Sequence, residues 1–293
     1  MPRVWSGIEN LIGWANVREY GAIGDGVADD TVAGQAAVDA LSNGGVVFFQ
    51  PGTYRVTTVT LAGGRPLLGS GKTATVINSN SAGYALDYNT NTGINDICID
   101  SLSVTCGALS TGGIRIGRRD LAIGASAKER CRFKDLSIRG NSSGNAGTVG
   151  FSLTNIAQSL IDNVEIKDFE TGWLMDRTTA NTCIRVRSWN CKYLAHFSGD
   201  AGIVGDSGGI ESLFFCDLLN PNLGTDGYCL RVHKMASVRN YSPYYELGSA
   251  AITVKTIVWI SGTSEDYCEL FGRYDYTAGP TVTNGIVIDA NAV

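Results

Sequence analysis

From residue 83 onward, short runs of apolar and polar residues return at intervals, and two kinds of run take turns. Runs of the first kind open with a glycine, at Gly83, Gly113, Gly150, Gly172, Gly227 and Gly285. Runs of the second kind begin with an apolar residue, at Leu102, Leu136, Val164, Val186 and Phe214. Alternation of this kind is typical of β-strands that have one buried face.

The second series repeats after 34, 28, 22 and 28 residues. Intervals of this size suit the coils of a β-solenoid, in which a long interval is a coil with an inserted loop. Because each coil of a solenoid contacts only its neighbours, the repeat predicts one continuous domain.

Residues 16–56 have a different pattern, which predicts a short helix followed by strands at 46–49 and 53–56. The side-chain oxygens of residues 29–31 (Asp, Asp, Thr) can accept hydrogen bonds from the free N–H groups of a helix start. The apolar face of the helix would consist of Ala33, Ala37 and Leu41. We interpret this helix as a lid over the open end of the solenoid, since a terminal coil otherwise exposes its core.

The same segment resembles the N-terminal signature of the pectate-lyase-like β-helix family, which includes phage tailspikes and polysaccharide-degrading enzymes. The matching residues are Asn16, Val17, Tyr20, Gly21, Ala22, Gly24, Asp25, Gly26, Asp29, Asp30, Thr31, Ala33, Gln35, Ala37, Gly44, Gly45, Val47, Phe49, Pro51, Gly52 and Tyr54. The resemblance implies an all-β fold: a single-stranded right-handed parallel β-helix with an N-terminal capping α-helix. The cap would cover 16–56 and the coils 57–293.

Residues 1–15 are predicted to be a leader or attachment segment. Its apolar residues include spacings of three and four, as on a short amphipathic helix: Trp5, Ile8, Leu11, Ile12 and Trp14. The segment has neither a long apolar stretch nor a cleavage site, so we do not expect a signal peptide.

The composition excludes several classes of function. The net charge of −5 provides no basic field for nucleic acid, and no apolar run approaches the roughly 20 residues of a membrane span. The eight cysteines include no CxxC pair and only two histidines are present, so neither a metal nor a cofactor is expected. We interpret the cysteines as reduced core residues.

Stacked coils place equivalent side chains in columns about 4.8 Å apart. If Leu102, Leu136, Val164, Val186, Phe214 and Val238 are equivalent, the next outward column is Ser103, Ser137, Glu165, Arg187, Phe215 and Arg239. The following outward column is Thr105, Arg139, Lys167, Trp189, Asp217 and Tyr241. Aromatic platforms beside charged hydrogen-bonding groups suit an extended sugar chain, so these columns predict a glycan-binding groove. The predicted substrate-binding residues are Arg139, Lys167, Arg187, Trp189, Phe215, Arg239 and Tyr241.

Glycoside hydrolysis needs two carboxyl groups. Glu165 lies on the first of these two adjacent columns and Asp217 on the second, two coils further on. We therefore predict them as the catalytic pair. Lyase chemistry needs a cation and a base instead, which Arg187 with Lys167 could supply. A second group of candidates lies on the other strand series: Asp176, His196, Arg231 and His233. The alternative to a catalytic role is that Glu165 forms only a solvent-exposed ion pair with Arg187.

The resemblance implies a phage tailspike or tail-fibre protein of the virion that binds, and as a depolymerase degrades, a host cell-surface polysaccharide. It also implies a homotrimer, attached to other tail or baseplate proteins through residues 1–15 and released by host lysis. The alternative is a non-catalytic fibre or glycan-binding adhesin on the same scaffold, because a fold does not determine a function.

Overall fold

The computed structural model describes residues 13–41, 44–61, 63, 65–89, 95–120, 127–141, 146–199, 208–214, 216–219, 228–233, 235–246, 253–261, 268–275 and 281–288. Within these ranges the chain forms one 3-10 turn, Val17–Tyr20, one α-helix, α1 (Thr31–Ala40), and 26 strands.

The strands of the first half are β1 (Trp14–Asn16), β2 (Asp25–Asp29), β3 (Val46–Phe48), β4 (Gly52–Val56), β5 (Val59–Thr60), β6 (Leu67–Leu68), β7 (Thr75–Ser79), β8 (Tyr84–Tyr88), β9 (Cys98–Cys106), β10 (Gly112–Ile116), β11 (Lys128–Glu129), β12 (Arg132–Arg139), β13 (Val149–Thr154) and β14 (Ile156–Ala157). Those of the second half are β15 (Leu160–Lys167), β16 (Thr171–Asp176), β17 (Asn181–Ile184), β18 (Arg187–Trp189), β19 (Tyr193–Ser198), β20 (Gly208–Phe214), β21 (Asp217–Leu219), β22 (Tyr228–His233), β23 (Met235–Glu246), β24 (Thr253–Ser261), β25 (Cys268–Asp275) and β26 (Thr281–Ile288).

These strands form two long parallel sheets. Sheet A runs through β1, β3, β6, β9, β12, β15, β17, β20 and β23, with β18 and β21 continuing the line of the interrupted strands. Sheet B runs through β5, β8, β10, β13, β16, β19, β22, β24 and β26. Each coil contributes strands to both sheets. In two coils a short strand, β11 or β14, follows a strand of sheet B and precedes the next strand of sheet A, and these two short strands pair with each other. The chain is therefore a right-handed parallel β-helix, as predicted.

The coils turn at residues in the left-handed backbone conformation, which are stacked in register. Ser101, Asp135, Asn163 and Arg185 interrupt the successive strands of sheet A, with φ of 59°, 50°, 55° and 53°. Such a residue costs roughly 1–2 kcal/mol in a chain of L-amino acids, but it bends every coil at the same place. The Asn163 amide donates to the Asp135 carboxylate over 2.6 Å, which ties two of these corners together.

The core lies between the two sheets and follows the coil register. Leu102, Leu136 and Val164 are Cα partners on neighbouring strands, and all three are fully buried. Aromatic rings join the stack edge to face, with the Trp173 and Phe197 centroids 4.9 Å apart. The seven cysteines whose side chains are described are unbridged, and six of them are buried, which agrees with their interpretation as core residues.

Helix α1 begins and ends close to where the pattern predicted, and it buries Ala33, Ala37 and Val38. Its start differs in one respect, because the Asp30 side chain does not cap the helix. Asp30 instead accepts hydrogen bonds from the backbone of Ile23 (2.6 Å) and of the following glycine (3.1 Å), and so holds the preceding turn. Asp29 accepts from the backbone N–H of Thr31 over 2.9 Å. That α1 closes the open end of the solenoid stays a prediction.

The boundary of the predicted leader needs correction. Trp14 and Ala15 pair in parallel with Val46 and Val47 of β3, so the first coil begins at residue 14 rather than 16. Residues 1–12, and with them most of the predicted attachment segment, lie outside the described residues.

Gly140 marks a close approach between two coils. Its N–H donates to the carbonyl oxygen of Lys167 over 2.8 Å, and a Cβ at this position would collide with the carbonyl oxygen of Asp168. Because both neighbours are backbone of a packed coil, we expect Gly140→Ala to lower the free energy of unfolding by about 1–3 kcal/mol. Urea denaturation followed by circular dichroism measures this change.

Gly34 is the matched control, since it lies inside α1 and its added Cβ would meet Val59 at an ordinary 3.4 Å. Gly34→Ala should raise the free energy of unfolding by about 0.5–1 kcal/mol. Equal stabilisation by both substitutions would contradict the close approach of the coils at Gly140.

Candidate functional site

Two outward columns on sheet A form a groove. Cα pairing places Ser103, Ser137, Glu165 and Arg187 in one column, and Thr105, Arg139, Lys167 and Trp189 in the other. These eight residues, called the groove below, alternate with fully buried core residues such as Val104 and Ile166. The two predicted columns are confirmed as far as β18.

Beyond β18 the predicted columns are wrong. Asp217 is the Cα partner of Arg187, not of Trp189, and therefore continues the Glu165 column. Arg239 and Tyr241 are the Cα partners of Ser212 and Phe214, on the part of sheet A that precedes the corner. They do not line the groove.

The columns beyond β18 differ from the prediction because each strand has one extra residue at the corner. This residue reverses the phase of the alternation between apolar and polar residues. The core position equivalent to Val186 is thus Cys216, which is 1% exposed, rather than Phe214. Val238 pairs with Glu211 on the earlier part of the strand. Phe215 lies outside the described residues.

Trp189 is the aromatic platform of the groove. The Lys167 ammonium lies 5.6 Å from the centre of the Trp189 ring, and the Arg187 guanidinium lies 5.7 Å from it. Cations at this distance are attracted by the ring face. Lys167 and Trp189, together with Arg139, Glu165 and their neighbours, line a concavity of about 300 Å³.

Glu165 faces a cation that the sequence did not point to. Lys72, in the turn between β6 and β7, places its ammonium 3.7 Å from a Glu165 carboxylate oxygen and donates to Asn163 over 3.2 Å. The Lys72 carbonyl also accepts a hydrogen bond from the Ser103 hydroxyl. Lys72 belongs to an earlier coil, so no spacing along the chain links it to Glu165.

Glu165 and Asp217 are two strands apart in a single column, with Arg187 between them. Two strand spacings correspond to about 10 Å between their backbones. Carboxyl groups of inverting glycosidases lie about 6.5–9.5 Å apart, so the backbone separation is compatible with a catalytic pair. Their assignment as that pair stays a prediction.

In the second candidate group, on sheet B, Asp176 is buried, whereas His196, Arg231 and His233 are partly exposed. Asp176 is 0% exposed and forms a 2.9 Å ion pair with Arg177, and the Arg119 side chain lies 3.5 Å away on its other side. Burial raises the pKa of Asp176 above its ordinary value, against the opposing effect of the two arginines. Burial, Arg231, Arg119 and His233 together lower the pKa of His196 to about 3, so its imidazole is neutral near pH 7.

The comparisons with known proteins agree with this architecture. Residues 14–97 match the family model described as rhamnogalacturonase A/epimerase, pectate lyase-like. The chain has the pectate-lyase-like fold. Within its N-terminal region, 72 residues are 46% identical to mannuronan C5-epimerase AlgE6 of Azotobacter vinelandii. That match covers 21% of this pectate-lyase-like chain and 8% of the epimerase, so the chain spans less than a tenth of that relative.

Two solved structures share the fold over nearly the whole chain. The A-module of A. vinelandii mannuronan C-5 epimerase AlgE4 is 16% identical with a TM-score of 0.55, and the match covers 95% of this chain and 89% of the module. The enzymatically active domain of bacteriophage CBA120 tailspike protein 2 is 14% identical with a TM-score of 0.56, over 94% of this chain and 46% of that domain. No helix in the described part of the chain is long and apolar enough to cross a membrane.

Proposed function

We propose that this pectate-lyase-like chain binds a polysaccharide along the groove of sheet A and cleaves it there. The observation that carries the proposal is the Trp189 ring, flanked by Lys167 and Arg187 and sharing an open concavity with Glu165. A sugar ring packs its apolar face on an aromatic ring, while cations and carboxylates hydrogen-bond its hydroxyl groups. Because the columns run along the solenoid axis, they suit a ligand with several sugar units.

Hydrolysis is the chemistry that we propose first. It requires two carboxyl groups, one to protonate the leaving oxygen and one to activate water or attack the sugar. Glu165 and Asp217 share a column and are the candidates for these roles. The support from comparison is that a tailspike domain described as enzymatically active and a mannuronan epimerase have the same fold.

We further propose that the protein is a tailspike or tail-fibre component of a phage virion. In this proposal it forms a homotrimer, attaches to tail or baseplate proteins through residues 1–15, and recognises a host cell-surface polysaccharide. The alternative is a non-catalytic fibre or adhesin that uses the same groove for binding alone.

One experiment separates these two functions. The purified protein is incubated with a panel of bacterial capsular and O-antigen polysaccharides, and binding, new reducing ends and ultraviolet-absorbing unsaturated products are measured. New reducing ends without unsaturation support hydrolysis, whereas unsaturated products indicate a lyase. Binding across the panel with neither product supports the adhesin, and no binding at all rejects the proposed function.

Trp189→Ala tests the binding part of the proposal. Removing a buried aromatic anchor from a binding site costs about 2 kcal/mol or more, so we expect polysaccharide affinity to fall about 30-fold. Leu109→Ala is the control, because Leu109 is 67% exposed and lies outside the groove. Calorimetric titration measures both affinities. Unchanged affinity in Trp189→Ala would show that the ligand does not use this ring.

A further inference from the structure

Lys72 reaches Glu165 from an earlier coil, and its backbone is fastened beside the groove. The Ser103 hydroxyl donates to the Lys72 carbonyl oxygen, and the N–H of the preceding glycine donates to the carbonyl oxygen of Ser101 over 2.8 Å. Both partners lie on β9, whereas Glu165 lies on β15, two strands further along sheet A. The lysine side chain therefore crosses the intervening strand, β12, where the outward column has the small residue Ser137.

A network of hydrogen bonds fixes the Lys72 ammonium. The Asn163 amide nitrogen donates to Asp135 over 2.6 Å, so the amide oxygen is the atom left to accept, and it accepts from Lys72 over 3.2 Å. Because an ammonium has only donors, this orientation of the amide serves both of its neighbours. The Lys134 ammonium lies 3.0 Å from the other oxygen of Asp135. The network thus holds the Lys72 side chain, which is only 21% exposed, in one place.

Lys72 contacts Glu165 from outside the concavity. Its ammonium lies 3.7 Å from Glu165 Oε1, and the concavity is lined by Glu165 but not by Lys72. An ion pair between partly exposed groups stabilises a fold little. It does restrict where a long, flexible carboxylate side chain points, and catalysis depends strongly on that direction.

The charge of Lys72 also fits one of the two carboxyl roles better than the other. Hydrolysis needs one carboxyl group that delivers a proton and one ionised carboxylate that activates water or attacks the sugar. An ammonium cannot accept a hydrogen bond from a protonated carboxyl group, whereas it attracts an ionised one. The surroundings of Glu165 therefore suit the ionised role, which leaves the acid role to Asp217.

We propose that Lys72 is a positioning residue of the sheet A groove, which holds the ionised Glu165 carboxylate toward the concavity. This inference rests on the proposed function, because it requires Glu165 to take part in cleavage. Lys72 does not touch the reacting atoms, so its removal affects turnover rather than binding of the polysaccharide.

Lys72→Met tests the inference, because methionine keeps most of the length of the side chain and removes the charge. Misplacing a catalytic group costs up to about a hundredfold in rate, so we expect kcat to fall about ten- to a hundredfold. KM should change less than about twofold, as for an interaction that acts on the transition state. Lys72→Arg keeps a cation and should restore most of kcat. Initial rates of reducing-end formation, over a range of concentrations of the polysaccharide that the panel identifies, give both constants.

Lys134→Met is the matched control. Lys134 belongs to the same network through Asp135, but it lies on β12 outside the groove. If the network served only to stabilise the coils, the two methionine variants would have the same effect on kcat. We expect Lys134→Met to leave kcat unchanged, and thermal denaturation checks that both variants fold.

The double variant of Lys72→Met with Glu165→Gln separates positioning of Glu165 from a general effect on the groove. Residues that act as a unit have non-additive effects on the rate. Lys72→Met should therefore lower the residual rate of Glu165→Gln by less than about twofold.

An unchanged kcat in Lys72→Met, with Glu165→Gln inactive, would overturn the positioning role and leave the proposed function standing. A raised KM with an unchanged kcat would overturn it too, since Lys72 would then bind the substrate. So would a loss of kcat that Lys72→Arg does not restore, or one that is as large in the Glu165→Gln background. Full activity of Glu165→Gln, or no cleavage of any polysaccharide, would reject the catalytic role of Glu165 and the role of Lys72 together.

Discussion

Replacing Glu165 by Gln should lower the rate of polysaccharide cleavage by about a hundred- to ten-thousandfold, the usual contribution of a positioned acid or base. The amide keeps the size and hydrogen-bonding capacity of the side chain but can neither gain nor deliver the proton. Polysaccharide affinity should change little, because the cations and the Trp189 ring remain. Initial rates of reducing-end formation, together with calorimetric affinity, measure the two effects separately.

Glu129→Gln is the matched control, because Glu129 is also a partly exposed glutamate in an ion pair, 3.6 Å from Arg130, but lies on β11. It should leave the rate unchanged. Asp217→Asn should reproduce the loss seen for Glu165→Gln. Full activity in Glu165→Gln and in Asp217→Asn would show that these two residues are not the catalytic pair, even if the groove binds the polysaccharide.

Replacing Lys128 by Met should stabilise the protein at pH 7 by about 1–3 kcal/mol. Lys128 is 0% exposed, and its ammonium has one hydrogen bond, 3.2 Å to the carbonyl oxygen of Thr154, and the ring of Tyr88 at 5.7 Å. Burial lowers the pKa of Lys128 to about 8 from an ordinary 10.5. A pKa difference of that size corresponds to a cost on the order of 3 kcal/mol for burying the charged ammonium. The variant avoids this cost but loses the hydrogen bond to Thr154, which reduces the gain in stability by about 1 kcal/mol.

The stability gained by Lys128→Met should become smaller as the pH rises. Below pH 8 the lysine is charged in both the folded and the unfolded chain, so the full cost of burying the charge is present. Between pH 8 and 10.5 the unfolded chain binds more protons, and the stability of the unmodified protein rises with pH relative to that of the variant. Urea denaturation at pH 7 and pH 9.5 should therefore show a smaller difference in the free energy of unfolding between the variant and the unmodified protein at the higher pH. A difference that increases with pH would contradict the buried charge.

The coil architecture could be predicted because it depends on local regularities that survive in the sequence. Apolar residues such as Leu102, Leu136 and Val164 recur at solenoid intervals, and the structure places them in register. The groove columns could be predicted for the same reason, since each outward residue directly follows an aligned core residue. The segment with the family signature indicated α1 and the strands after it.

The later columns could not be predicted because a single corner residue per coil reverses the alternation, and no composition signal marks it. The stacked corner residues are Ser101, Asp135, Asn163 and Arg185, which share a backbone conformation but no chemistry. Contacts between residues of distant coils could not be predicted either, because no spacing along the sequence marks them. Lys72 meets Glu165 across 93 positions of the chain, and the Arg119 side chain lies 3.5 Å from the buried Asp176.

The central claim is that the polysaccharide lies on Trp189 and Lys167, and chemical footprinting tests it most directly. The protein is treated with a lysine-acetylating reagent and a tryptophan-oxidising reagent, with and without the bound polysaccharide, and modification at each residue is measured by mass spectrometry. We predict that the polysaccharide protects Lys167 and Trp189 but not Lys134, which has a similarly accessible side chain (34% against 24%) on sheet A outside the groove. Saturating polysaccharide that leaves both groove residues as reactive as in the free protein would contradict the account.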